Sequence, residues 1–539
     1  MSMSNDTLDG AEARRDRVLQ ETNFESSADL QHIPPVSFTD EETNGAVGGA
    51  PPSNGNAPKA KAPPASTTRV LAPDLLRGTL MVLMAMDHAV VALRSWDHGQ
   101  AHESEGDSLP VSEWNRPIGY IIRTFTHLCA PGFTFLLGMG VVYFGRSRAR
   151  LGWSTYQMLR HFVIRAAVLT LITVLMGVVM TGGKIWFMNA VLFSLAIDYV
   201  LAGVLWLILN KIETAMTQGL TPFFVKAIEN GERRPLLVGS SLEDERNTDK
   251  ASSRAVAVSW HIINAILLVL AGVAAWWNIW LSPTHGHCQT ESLSISQNMM
   301  ASGNPIVDIW FWPFMTGHIM SGFPPNGLAF LCHHGIAVRP ARPGPPLSSA
   351  RLNSSTLLVA LAFFLLFAFT RIFRFGNLSE GCLHMPEHVA NPDRNPYLTS
   401  VPSFFYVIKY PPDVAFVCYT MSVNLALLAL FGALPLSVTK RMTVLLTYGT
   451  SALFFYIVHQ ILLFSAGAVI AHFFGRETGE TDPFTGEPGV VVESLWIYWG
   501  AVGSCPHGTV SFVQMVRWFQ EDKGPRFNLE VLLIDYKSI

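Results

Sequence analysis

The chain has 539 residues with 37 Lys+Arg against 40 Asp+Glu, a formal net charge of −3, and only 14% of its residues are charged while 49% are hydrophobic. Soluble domains carry about 25% charged residues, and residues 1–68 and 210–254 alone hold 15 and 14 of the charges here, so the remainder is too apolar for a string of soluble domains. The absence of a basic excess argues against nucleic acid as a partner, and six Cys with no CxxC pair argue against a disulfide scaffold and against a structural zinc or other metal site.

Residues 1–68 are polar and acidic, then rich in Pro, Gly, Ala and Asn (AVGGAPPSNGNAPKAKAPPAS). Such a segment buries too little apolar surface to offset the entropy of ordering and reads as a disordered cytosolic tail. No apolar core near Met1 precedes a small-residue cleavage site, so no removable signal peptide is expected. Over residues 69–520, apolar stretches of roughly 20 residues, enough to cross a hydrocarbon core of about 30 Å, recur about ten times. Their centres lie near Leu83, Leu136, Leu169, Leu201, Leu268, Phe330, Phe363, Tyr419, Tyr456 and Trp499. Backbone groups in lipid must be satisfied within the protein, and long runs without period-two alternation are helices. The expected fold is therefore all-α, a polytopic integral membrane helix bundle of about ten transmembrane helices, with a polar cytosolic loop at 210–254 and a cytosolic C-terminal segment at 521–539.

Basic residues orient the bundle, because short cytoplasmic loops retain Lys and Arg. Arg146, Arg148, Arg150, Arg160 and Arg165 flank the second connection, Lys211 to Arg254 occupy the fourth, Arg339, Arg342 and Arg351 the sixth, and Lys440 and Arg441 the eighth. The intervening connections hold scattered cations such as Arg116, Lys184, Arg394 and Arg476. Both termini come out cytosolic, in a multi-pass protein of the plasma membrane, the endomembranes or a vacuolar or lysosomal-type organelle.

Ionisable residues at membrane depth are costly and usually face an internal cavity. In the first span, Asp74, Arg77, Met81, Met84 and His88 fall on one helical stripe, with Asp74 and Arg77 at its cytosolic end and His88 about 21 Å further along. The second span returns with Arg123 and His127 one turn apart, His127 at a depth similar to that of His88. Tyr456 and His459 of the ninth span fall in the same outer half, so His88, His127 and His459 are expected around one polar cavity. Each has a plainer reading as an interhelical hydrogen-bond partner; Asp74 and Arg77 have one as a helix N-terminal acid and an inside-positive anchor.

Imidazole both accepts and donates protons near neutrality, which suits acyl transfer. There the incoming hydroxyl or amine loses a proton as it attacks a thioester, and the oxyanion needs donors. G-x-S-x-G, HExxH and GxxxxGK[ST] sequences do not occur in the chain.

Five blocks carry a family likeness: APDLLRGTLMVLMAMDH, THLCAPGFTFLLG, SGFPPNGLAFL (Ser321 to Leu331), IKYPPDVAFV (Ile408 to Val417) and YGTSALFFYIVHQILL (Tyr448 to Leu463), spread over residues 70–470. In order and spacing they resemble the catalytic membrane domain of heparan-alpha-glucosaminide N-acetyltransferase and its microbial relatives. The resemblance implies an enzyme that takes an acetyl group from cytosolic acetyl-CoA and delivers it to an acceptor across the membrane. By motif, Asp74 and Arg77 match the family's opening Asp and Arg, Asp87 and His88 the DH pair of the microbial branch, and His127 the position before AP. In the lysosomal branch the DH pair is replaced and a catalytic His lies in the following lumenal loop, which here contains His98 and His102. After FPP this chain departs from the family pattern with CHHGIAVRPARPGPPLSS, bringing His333 and His334 near the cytosolic boundary.

The expectation is a membrane acyltransferase using acetyl-CoA or another acyl-CoA on an amino or hydroxyl acceptor, a sugar or small metabolite. His88 would be base or transient acyl carrier, oriented by Asp87, with His127 assisting at the oxyanion. Asp74 and Arg77 would bind CoA phosphates or hold the cytosolic mouth. The bilayer is the main partner and a homodimer is compatible with this reading. A proton-coupled transporter is the alternative, since buried His and Asp also mark proton paths.

The topology places Cys288 and Cys382 in connections on the non-cytosolic side, where disulfides persist, and the other four Cys within spans. A Cys288–Cys382 bridge is one outcome and two unpaired loop thiols the other. If the bridge forms, a non-reducing gel should show a mobility shift on reduction that disappears in Cys288→Ser and in Cys382→Ser; a shift that survives either substitution rules the bridge out.

Overall fold

A computed structural model describes residues 71–93, 117–189, 191–231, 241–281, 314–316, 319–321, 349–375, 386–407, 412–481 and 488–503. The chain divides into Met1–Thr67 and Thr68–Ile539, and every described residue belongs to the second unit, so the expected tail at 1–68 and the segment at 521–539 lie outside the described residues. Its elements are α1 (Ala72–Leu93), α2 (Pro117–Thr126), α3 (Cys129–Arg150), α4 (Thr155–Thr181), β1 (Phe187–Asn189), α5 (Leu192–Gly231) and α6 (Ser241–Leu281). There follow β2 (Phe314–Thr316), β3 (Ile319–Ser321), α7 (Ser349–Phe373), α8 (Pro386–Val389), α9 (Val401–Phe405) and α10 (Val414–Ala433). The last are α11 (Leu436–Arg441), α12 (Thr443–Thr450), α13 (Ala452–Phe474), β4 (Arg476–Thr481), β5 (Pro488–Val491) and a helix, α14, at 495–503.

Among the described residues, eight helices are long and apolar enough to cross a membrane, α2 and α3 counting together as one span. They contain eight of the ten expected centres. The sixth, near Phe330, lies outside the described residues, and the tenth, near Trp499, falls on α14, of which nine residues are described. The fold is an all-α membrane helix bundle. Its small strands are β1 paired in parallel with β3, β2 antiparallel to β3, and the antiparallel pair β4–β5.

The spans sort into an inner and an outer set. The combined α2–α3 span and α10 are mostly buried, whereas α4, α6 and α7 turn apolar side chains such as Leu171, Leu175, Val179, Leu268, Val269, Leu358 and Leu365 outward. A helix that stays apolar on its outer face suits a lipid solvent.

The second span is broken where the sequence requires it. Pro131 has no N–H and its ring collides with the carbonyl four residues back, that of His127, so the helix stops at Thr126 and restarts at Cys129. The freed backbone still needs partners in an apolar interior. Leu128 N–H reaches Phe125 O at 3.1 Å, and Leu128 O accepts from Gly132 N–H at 2.9 Å and from the Asn424 side-chain amide at 3.2 Å. Asn424, fully buried on α10, also donates to Thr420 O.

α1 lies at backbone contact with the α12–α13 stretch. A Cβ on Gly449 would stand 1.9 Å from Asp74 O, one on Gly78 2.0 Å from Leu445 O, and one on Gly467 2.5 Å from Ala92 O. Small residues let membrane helices approach this closely. α14 packs on the far end of α1, with Tyr498 and Val502 against Ala89, Val90 and Leu93.

The expected polar loop at 210–254 is a correction. Residues 210–231 continue α5 and residues 241–254 open α6; only 232–240 lie outside the described residues. Charge density was the wrong guide. At 40 and 41 residues these helices are each about 60 Å long, twice a hydrocarbon core. Their extensions hold each other through buried Ile228, Ala251 and Ala255 and a 3.0 Å Thr217–Ser259 hydroxyl contact.

Gly449→Val should destabilise the protein by about 1–3 kcal/mol, because the added carbons can escape the Asp74 carbonyl only by moving backbone. Gly140→Ala, with nothing within 4 Å of its new methyl, is the control and should leave thermal unfolding in detergent unchanged.

Candidate functional site

Two of the three expected histidines meet. His88, half-buried on α1, has its Nδ1 2.8 Å from Nε2 of His459, fully buried on α13. The ring planes differ by 5° with centroids 5.1 Å apart. That separation is what a 2.8 Å N···N contact plus the radii of two five-membered rings give, so the imidazoles lie edge to edge in nearly one plane.

The hydrogen bonds fix the tautomers. His459 Nδ1 lies 2.7 Å from Phe455 O, and a carbonyl only accepts, so Nδ1 carries the hydrogen and the neutral ring keeps a lone pair on Nε2. That lone pair accepts from His88 Nδ1–H. Neutral His88 then presents its own lone pair on Nε2, the outer end of a relay running Phe455 O, His459, His88. A buried imidazole thus fixes the tautomer of a half-buried one, the arrangement by which a positioned base is made. Phe455 lies nearly parallel to the His459 ring at 4.9 Å, and Tyr456 stands edge-on to both imidazoles at 6.4 and 5.9 Å. Met81, Met84, Cys129, Tyr448, Phe455 and Tyr456 pack as one apolar cluster beside the pair.

Asp87 is half-buried, and beside it Tyr498 of α14 donates to Met86 O at 3.1 Å. The structure shows His459 holding His88 Nδ1.

The remaining expected residues are elsewhere. Asp74 and Arg77 are buried together, Arg77 donating to the Asp74 carboxylate at 3.3 Å and to Gly449 O at 3.1 Å. The pair clasps α12 onto α1, about 21 Å along α1 from His88. His127 is buried at the break in the second span, edge-on to Phe416 of α10 at 5.8 Å. His98, His102, His333, His334, Cys288 and Cys382 lie outside the described residues, while Cys129 and Cys418 are buried and form no disulfide among the described residues. Among the described residues no group of three or more His, Cys, Asp or Glu converges as a metal site.

Several polar residues escaped the sequence reading. Arg371, fully buried at the end of α7, lies 4.3 Å from the Tyr397 ring and 5.0 Å from that of Phe367, and donates to Tyr406 O. Asn395 bonds the Arg371 carbonyl and Tyr120 of α2 donates to Pro402 O at 2.9 Å, so residues 386–407 form a cap tied to two spans. Asp198, on α5, is 1% exposed, and neither carboxyl oxygen has a hydrogen-bond partner among the described residues. Its signal was available: a single acid inside the apolar run LFSLAIDYVLAG.

No protein-family model matches the chain, and no curated protein matches it either.

Selective ¹⁵N-histidine NMR should report His459 protonated on Nδ1, with its signals assigned by their loss in His459→Phe. In that variant the His88 Nδ1–H loses its acceptor, and a change in the His88 ¹⁵N shifts is expected; unchanged His88 shifts would refute the relay.

Proposed function

We propose that the protein is a membrane acyltransferase that moves an acyl group from acyl-CoA on the cytosolic side to an amino or hydroxyl acceptor, with His88 as the base. The observation that carries the reading is the His88–His459 relay, which directs a lone pair at His88 Nε2 from a half-buried position on the helix that bears the family-like DLLRG and DH blocks. As the acceptor attacks the thioester carbonyl, its N–H or O–H proton passes to His88 Nε2; when the tetrahedral intermediate collapses, the C–S bond breaks and the departing thiolate takes that proton. His459 acts through His88 by holding its tautomer and is a positioning residue. Arg77, donating to the Asp74 carboxylate and to Gly449 O, holds the cytosolic mouth of α1 together with Asp74. The likeness to heparan-alpha-glucosaminide N-acetyltransferase supports acetyl as the acyl group and a sugar amine as an acceptor.

A proton-coupled small-molecule transporter is the second reading, favoured by Asp198. A carboxyl buried at membrane depth with no partner among the described residues is the kind of group that carries protons in permeases.

Purified protein in phosphatidylcholine nanodiscs, given labelled acetyl-CoA and a panel of amine and hydroxyl acceptors, should form acetylated product. His88→Ala, at normal membrane levels, should lower the rate about 10²–10⁴-fold, and His459→Ala should lower it less. Unchanged transfer by His88→Ala removes the assignment. Substrate-dependent proton uptake by proteoliposomes, abolished by Asp198→Asn and without any acetylated product, would establish the transporter instead.

A further inference from the structure

The end of the bundle where α3 turns into α4 concentrates positive charge that neither proposed mechanism uses. From Tyr143 to Arg165 the sequence holds five Arg and no Asp or Glu. The turn itself is tight. Gly152 takes a left-handed φ of 79°, Trp153 N–H returns to Arg148 O, and Ser154 with Gln157 forms a capping box at the start of α4. The last turn of α3 and the first turns of α4 are thereby fixed side by side.

Within this corner the side chains are organised on an aromatic floor. The Arg148 guanidinium sits 4.7 Å from the Trp153 ring centre and 5.3 Å from that of Phe144. His161 stacks on the other ring of the group, Phe144, at 4.4 Å and 17°, with Trp153 edge-on to it at 6.3 Å. Arg146 lies within electrostatic range of Glu213 on α5 and of Arg150. Arg150 and Arg160 are exposed, and Arg148, Trp153 and His161 are half-buried. A topology signal alone needs only charge. Here the Arg148 guanidinium is also held over two aromatic rings, so less of its side-chain freedom is lost when an oxyanion with several acceptors binds.

We infer that the α3–α4 corner is a binding site for a phosphate-bearing anion at the membrane surface, held by Arg146, Arg148, Arg150 and Arg160 with Trp153 and His161 offering flat faces. Two sources supply that chemistry: the nucleotide end of acyl-CoA, in which case the inference rests on the acyltransferase reading, or the phosphate of an anionic lipid, in which case it does not.

The test uses the full chain in nanodiscs with two probes. Adenosine 3′,5′-bisphosphate is titrated against protein in phosphatidylcholine, and in the second arm phosphatidate is added to the lipid and its retention by the protein is measured by native mass spectrometry. Binding in the first arm assigns the nucleotide source, and retention in the second assigns the lipid source. In either arm Arg148→Gln/Arg150→Gln should weaken binding at least tenfold, and Arg148→Lys/Arg150→Lys should restore part of it. Should the double variant fail to give a monodisperse protein, the exposed Arg160→Gln carries the test with a smaller expected loss. Binding of neither probe, or equal binding by wild type and the Gln variants, overturns the site. Acetyl transfer with an unchanged KM for acetyl-CoA in those same variants, alongside unaltered probe binding, overturns the site while the acyltransferase reading survives. Arginine-dependent binding in a protein that forms no acetylated product keeps the site and removes the enzyme.

Discussion

The backbone contact between α1 and the α12–α13 stretch is the constraint on which the candidate site depends. Lipid provides no hydrophobic drive between helices, so association rests on how closely the chains pack. Gly449 against Asp74 O and Gly467 against Ala92 O set the two helices at minimum separation near both ends, and the buried Asp74–Arg77–Gly449 clasp fixes their register at one of them. His88 and His459 lie between these contacts. A hydrogen bond of 2.8 Å between rings on separate helices tolerates little relative sliding, and the glycines supply that rigidity.

Buried polar groups in this bundle divide by whether their partners complete them. Asn424 completes a backbone that Pro131 interrupts, and Arg371 completes the cap at 386–407 through Tyr406 O while its charge rests against Tyr397 and Phe367. Such groups hold the structure at membrane depth, where an unsatisfied one is costly. His88 differs because it is half-buried and its ring is held by a second imidazole, that of His459. Asp198 differs because its carboxyl is buried with no partner among the described residues.

Much of the bundle was legible because membrane depth imposes length and apolarity on each span, and both are properties of a continuous run. The extensions of α5 and α6 were not. Residues 210–254 look like loop when charge alone is counted, yet two helices that bury Ile228, Ala251 and Ala255 against each other need few apolar positions to persist beyond the membrane. For the candidate site, helical phase and depth gave the pairing of His88 with His459. They also grouped His127 with them; the structure sets that ring edge-on to Phe416, at the break between α2 and α3. Neighbours in a helix point about 100° apart, and the group that the structure shows holding His88 Nδ1 comes from another helix.

The sequence by itself determined that this is a helical membrane protein, where most of its spans lie, and which ionisable residues stand at depth, because the solvent acts on each segment separately. Only the tertiary structure decided which of those residues meet. Partner choice depends on helix separation, rotation and register, and here those follow from a few glycine contacts and one proline break whose effect appears only when a second helix is packed alongside.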